Sequence, residues 1–224
     1  MKKMAALVLA MICIFTSSAF AAGKLKVISK NLIEFDGDDT GYFFAKVQNV
    51  GDAAIGVRTG KLVGFSENDE IIISESIVYS TPSYIRLEPG EYVYVTEYLW
   101  EPILETEDVV DYKFSMETYA NPQRYEIIPC EVRYELDGQY NSYVSVTFTN
   151  TADKEQEGIH VSVALTDEED HLVFVDGNAI NGVVVHPGST ITVKMSIDSR
   201  IIEYYNNHET KIVNADAIVR YSVK

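Results

Sequence analysis

Residues 34–50 read EFDGDDTGYFFAKVQNV, and residues 135–151 read ELDGQYNSYVSVTFTNT. Displaced by 101 positions, the two stretches agree at Glu34/Glu135, Asp36/Asp137, Gly37/Gly138, Tyr42/Tyr143 and Asn49/Asn150, where unrelated sequence gives about one match. Phe43, Ala45 and Val47 fall on one side of a period-two pattern, and their counterparts Val144, Val146 and Phe148 are apolar too. On the other side, Phe44, Lys46 and Gln48 stand against Ser145, Thr147 and Thr149, and only the first pair fails to stay polar. This is the mark of a half-buried strand, whose inward face is constrained and whose outward face is free to drift.

Two more landmarks recur in the same order. Leu87-Glu88-Pro89-Gly90 matches Val185-His186-Pro187-Gly188 at a displacement of 98. Proline fixes φ and glycine permits a positive φ, so each pair predicts a tight turn delivering the chain into a strand. In that strand Val93 and Val95 match Ile191 and Val193 inward, and Tyr92 and Tyr94 match Thr190 and Thr192 outward. Tyr112–Met116 then resembles Val219–Val223. Alternation predicts strands near 25–35, 41–49, 54–65, 70–79, 91–98 and 110–118, then near 127–136, 142–150, 158–166, 171–176, 183–185, 189–197 and 213–223. A helical turn is expected in Asp198–Asn207, with Tyr204 and Tyr205 covering an open edge. The fold class expected is all-β, two tandem immunoglobulin-like antiparallel sandwiches spanning residues 22–121 and 122–224, joined at the short Ala120–Arg124 segment.

The N-terminus, MKKMAALVLAMICIFTSSAFAAG, places two lysines before an apolar run that ends in Ala19-Phe20-Ala21, the anatomy of a signal peptide over residues 1–21. The run is too short to span a bilayer. Met11 and Ile12 stand before Cys13 where a lipid-modification signal wants small residues. The mature chain is therefore expected to be exported, to the cell exterior or envelope, and not inserted in a membrane. Loss of Lys2 and Lys3 moves the formal charge from −16 to −18, a surface that repels nucleic acid and anionic lipid. Cys130 is then the only thiol, so no internal disulfide can form. Its place in the alternating run Cys130, Val132, Tyr134, Leu136 puts the sulfur on an inward face.

The succession of a strand ending in asparagine, a paired strand running into an acidic turn (VSVALTDEEDHLV, residues 161–173), a Pro-Gly turn and an alternating strand resembles the bacterial extracellular immunoglobulin-like modules of the FxLYD and CARDB type. Copy 2 carries Leu165-Thr166-Asp167 and copy 1 Gly64-Phe65-Ser66 where an FxLYD module shows Leu-Tyr-Asp. The resemblance implies a non-catalytic part of a secreted or envelope protein.

Chemistry is sparse. Asp36-Gly37-Asp38-Asp39-Thr40-Gly41 opens like a calcium loop, but its twelfth position is Val47 and copy 2 replaces the acids with Gln139 and Tyr140, so Asp36, Asp38 and Asp39 read better as an acidic hairpin turn. His160, His171, His186 and His208 have no ligand spacing. There is no nucleophile elbow, no zinc-protease motif and no phosphate loop. No enzyme activity and no cofactor are expected. The feature that stands out is EYVYVTEYLW, residues 91–100, whose even positions Tyr92, Tyr94, Tyr98 and Trp100 line the outward side of one strand. Such a stripe serves an unidentified protein or glycan at the cell surface, or the contact between the copies, or ordinary cross-strand packing. Calcium-dependent or carbohydrate binding through the acidic turns or the stripe is the alternative to an adhesive or structural role.

Overall fold

The computed structural model describes residues 22–35, 40–100, 108–120, 122–137 and 141–223. The expected signal peptide and the Asp36–Asp39 turn lie outside them. The fold is all-β. The first half contributes β1 (Leu25–Glu34), β2 (Thr40–Asn49), β3 (Ile55–Phe65), β4 (Ile71–Thr81), β5 (Arg86–Leu87), β6 (Tyr92–Trp100) and β7 (Asp111–Thr118). The second contributes β8 (Tyr125–Ile128), β9 (Cys130–Glu135), β10 (Tyr143–Thr149), β11 (Ile159–Asp167), β12 (Leu172–Ile180), β13 (Thr190–Ser196), the helix α1 (Ser199–Asn207) and β14 (Ile212–Ser222).

The strand order repeats. In the first half β1-β2-β6 form one layer and β4-β3-β7 the other, β4 crossing to β6 only through Ser80 and Thr81. In the second half the layers are β9-β10-β13 and β12-β11-β14, with β8 added beyond β14. The single strand expected over 127–136 is broken at Pro129, which lacks the N–H a ladder needs. The chain uses the break to leave β14 in one layer and join β10 in the other. The strand expected at 183–185 is only an isolated bridge between Gln156 and Val185, the counterpart of β5 on β3.

Registers match pair for pair. Val47 faces Val93 as Phe148 faces Ile191, and Ala45 faces Val95 as Val146 faces Val193. The shared asparagines explain the shared landmark. Asn49 is fully buried; its Nδ2 donates to the carbonyls of Ala53 (2.8 Å) and Leu87 (3.1 Å), and its Oδ1 accepts from the Gly51 N–H (3.0 Å). Asn150, also fully buried, donates to Lys154 (2.9 Å) and Val185 (2.8 Å) and accepts from Ala152 (3.0 Å). Each asparagine thereby ties the end of a strand to the Pro-Gly turn, where Gly90 and Gly188 hold φ of +85° and +75°, a conformation that costs glycine no steric strain. The acidic clusters are hairpin turns of one design. The Ser66 N–H donates to the Glu70 carbonyl and Asp69 to Ser66, as Asp167 donates to His171 and Asp170 to Asp167, with Asp69 and Asp170 both at φ +62°. Two matches are not structural: Glu34 faces Gly41, whereas Glu135 faces Tyr143, one position along, and Tyr112 faces Gly64 where the equivalent Leu165 faces Ala215, so the likeness of Tyr112–Met116 to Val219–Val223 is displaced by four positions.

The halves pack through different faces. Phe44 and Tyr94, outward on the first half, are buried and belong to the apolar cluster of the second, together with Val161, Val163, Leu165, Val173 and Val175. Because β11 meets its own β10 on one side and the first half on the other, Ile159 and Val161 through Leu165 are all buried. The order of sheets is thus β4-β3-β7, β1-β2-β6, β12-β11-β14, β9-β10-β13. Close approach at the seam is helped by Gly177, where a Cβ would lie 2.5 Å from Thr81. The connecting segment is pinned as well, since Arg86 donates to the Gln123 carbonyl (2.9 Å) and Gln123 to that of Tyr84 (2.7 Å).

Candidate functional site

The outward face of β2 and β6 sets Gln48, Lys46 and Tyr42 beside Tyr92, Tyr94 and Tyr98, and Thr40 beside Trp100. The seam divides this stripe into a buried end and an open end. Tyr94 is 3 % exposed, and the Tyr92 and Tyr94 hydroxyls each donate to one oxygen of Asp216, Oδ2, at 2.6 Å. Lys46 Nζ lies 3.5 Å from the same oxygen and 3.8 Å from the centre of the Tyr92 ring. Burial first, and then the bond to Asp216, push both tyrosine hydroxyls far above their ordinary range. Burial alone would raise the Asp216 carboxyl, but the two hydroxyls and Lys46 hold it below its usual value.

Beside them Arg220, 2 % exposed, donates from Nη2 to the Tyr92 carbonyl at 2.6 Å, and its Nη1 has no partner. Burial lowers the pKa of its guanidinium. The Tyr92–Tyr94 end of the stripe is therefore a charge-assisted joint between the halves. Its key residues, Asp216 and Arg220, come from the last strand, and no local motif announces them.

Tyr98 and Trp100 stay open, at 37 % and 66 % exposure. The Tyr98 ring tilts onto Tyr42 at 5.1 Å. Arg200, from the first turn of α1, donates from Nη1 to the hydroxyls of Thr40 (3.1 Å) and Tyr98 (3.3 Å), and from Nη2 to Asp198 Oδ2 (2.7 Å). Asp198 caps α1 by accepting from the Arg200 N–H, the usual reason for an aspartate at this position. Tyr42 also donates to Asp198 Oδ2 (3.2 Å), and burial followed by the Asp198 charge pushes its hydroxyl up to about 12. The bonds to Asp198 raise the pKa of Arg200; for Asp198 burial opposes these bonds, but they win and hold the acid low. Phe35 lies under the same guanidinium at 5.0 Å and meets Tyr42 and Tyr204 edge-on. The result is an aromatic rim around a fixed charge pair, with rings to stack on and a guanidinium to donate. The expected helix is present, and Tyr205 from it is buried, its hydroxyl accepting from Asn31 Nδ2 at 3.3 Å.

The remaining sequence candidates are scattered. Asp36, Asp38 and Asp39 lie outside the described residues. Among the described residues no three His, Cys, Asp or Glu side chains converge as metal ligands. His160 meets Tyr125 edge-on, His171 leans on Asp167, His186 pairs with Glu155 at 2.8 Å and His208 stacks on Tyr204. Cys130 is half-buried, its Sγ 3.6 Å from the Ala217 carbonyl, and burial pushes its thiol up, so it is held away from the reactive thiolate form. Among the described residues no helix is long and apolar enough to cross a membrane.

No protein-family model and no curated protein sequence matches the chain. Solved structures similar to it include the C-terminal globular domain of an oligosaccharyltransferase from Pyrococcus abyssi, at 10 % identity and a TM-score of 0.27, covering 89 % of this chain and 47 % of that one. Red sea bream transglutaminase follows at 11 % identity and a TM-score of 0.25, with 84 % and 28 % covered. A β-glucuronidase of glycoside hydrolase family 2 shows 9 % identity and a TM-score of 0.22, with 85 % and 22 % covered. The chain thus spans less than half the length of each of these structures.

Proposed function

We propose that the protein is an exported, non-catalytic binding protein of the cell surface or envelope. Its two immunoglobulin-like units form one stacked body, and the Tyr98–Trp100 rim takes a surface glycan or peptide. The observation that carries this reading is Trp100, 66 % exposed beside Tyr98 and the Arg200–Asp198 pair. A large ring left in water next to oriented donors is a usual platform for recognition. The N-terminal signal pattern, the acidic charge, the absence of a catalytic motif in the sequence and the FxLYD/CARDB likeness all support it. The test is retention on a glycan array and on intact cells. Wild-type protein is retained, and the Tyr98→Ser/Trp100→Ser double variant is lost from the surface while still folded, unfolding in a single cooperative transition. Equal retention of the two proteins refutes the reading.

A further inference from the structure

Where the halves meet at the other end of the stripe, the seam does not close. A cleft of about 680 Å³ runs between them, within the range of small-molecule sites. Its cause is visible in both walls. β1 carries a bulge between Val27 and Ser29, and β11 slips register on either side of Thr166, against β12 and against β14. Bulges bend their strands and interrupt the ladder, and here two of them face one another across the seam. Thr166 lines the cleft, and its hydroxyl is buried without a hydrogen-bond partner, an unusual expense for a native protein.

The charges are arranged by wall. The first half supplies Lys46, 26 % exposed at its side chain. Lys30 contributes only its stem, because its ammonium donates to the Tyr112 carbonyl at 2.6 Å and sits over that ring. Asp216 already accepts two hydroxyls, and its contact with Lys46 is long at 3.5 Å, so the ammonium keeps donor capacity facing the cleft. The second half supplies Asp216 beside Lys46 and, from the β11–β12 turn, Glu169 and Asp170, with His171 leaning on Glu169 at 3.6 Å. Between these poles lie Ile28, the Tyr94 ring, Leu172 and Ala215.

We propose that the cleft is a second binding site, separate from the Tyr98–Trp100 rim, and that it takes a small zwitterion, a peptide of two or three residues with free ends. The ligand carboxylate sits on Lys46, the ammonium on Glu169 and Asp170, and small side chains rest on the apolar floor. Because both halves build the walls, the ligand clamps them together.

The test is titration calorimetry on the full chain with tri-L-alanine, L-alanine and N-acetyl-tri-L-alanine amide. Tri-L-alanine is expected to bind saturably, and blocking both ends to weaken it by about tenfold or more, the worth of charge-assisted bonds. Lys46→Met and the Glu169→Gln/Asp170→Asn pair are each expected to do the same. The second variant alters only a solvent-facing turn, so it reads the site even if Lys46→Met loosens the seam. No heat up to about 10 mM peptide, equal binding of the blocked peptide, or unchanged affinity in the turn variant overturns the proposal. Equal affinity for L-alanine overturns the assignment to peptides. The Tyr98→Ser/Trp100→Ser protein is expected to bind tri-L-alanine normally, which separates this site from the rim.

Discussion

The outer face of β3 and β7 in the first half and that of β11 and β14 in the second are built from equivalent positions, yet they carry opposite solutions. In the first half Lys61 pairs with Glu117 at 3.1 Å and Lys113 lies 4.8 Å over the Phe65 ring, all in or near water. By register, their counterparts in the second half are Ser162, Arg220, Asp216 and Thr166. There Ser162 is 1 % exposed and donates to the Thr81 carbonyl at 2.7 Å, Arg220 is buried, and Asp216 collects the tyrosines. The faces of β2-β6 and β10-β13 show the reverse: Phe44, Lys46, Tyr92 and Tyr94 meet the seam, while Ser145 and a ladder of threonines, Thr147 with Thr192 and Thr149 with Thr190, each at 2.8 Å, face solvent. A sheet face follows what covers it. Exposed ion pairs contribute little, so they suit a free surface, whereas a covered face needs apolar area and partners for most of its polar groups.

The sharpest break in this contrast is to give the first half the surface of the second. Phe44→Ser, the residue at the counterpart position 145, removes a fully buried ring from the seam and is expected to cost about 4 kcal/mol in urea unfolding. A loss under about 1 kcal/mol would mean that the seam contributes little to stability. Next in size is the shared asparagine. Asn49→Ala orphans the carbonyls of Ala53 and Leu87 and the N–H groups of Gly51 and Lys24, Asn150→Ala those of Lys154 and Val185 and the N–H of Ala152, and each is expected to cost about 3 kcal/mol. Similar losses in the two variants support equivalent roles, and a large difference breaks the pairing of the copies.

A smaller effect concerns Glu97, inward on β6 where the second half has Met195. Burial, and then the charge of Glu75, push its carboxyl from 4.5 to about 7. A raised acid pKa favours the protonated folded form, so this group leaves stability intact below its unfolded value and subtracts from it as pH rises from about 4.5 through about 7. Glu97→Met is expected to raise the melting temperature at pH 8 and to flatten its fall between pH 5 and 8; an unchanged pH profile contradicts the assignment. Least of all, Trp100→Ser is expected to alter stability by under about 0.5 kcal/mol, since the ring lies mostly in water.

Much of this molecule was legible in the alternation. Val93 and Ile191, Asn49 and Asn150, and the Pro-Gly turns stand in equivalent places because their surroundings are local strands and turns. The displaced Glu34/Glu135 match shows the limit: identity in an alignment is not register, and a strand slipped by one position turns its side chain to the other face. Phe44, the one outward position that broke the polar pattern, was the signal of the seam in the sequence. The partners that complete the stripe, Asp198, Arg200, Asp216 and Arg220, lie about a hundred positions away on the other half, where nothing local marks them.

By itself the sequence determined most of the residues that turn inward and the turns between the strands, and showed that their pattern recurs, because period-two burial and turn chemistry act over a few residues. Which outward faces would be covered, and so which half of the aromatic stripe became a joint and which stayed in water, was decided only by the docking of one half on the other, since burial across a seam depends on surfaces brought together from distant parts of the chain.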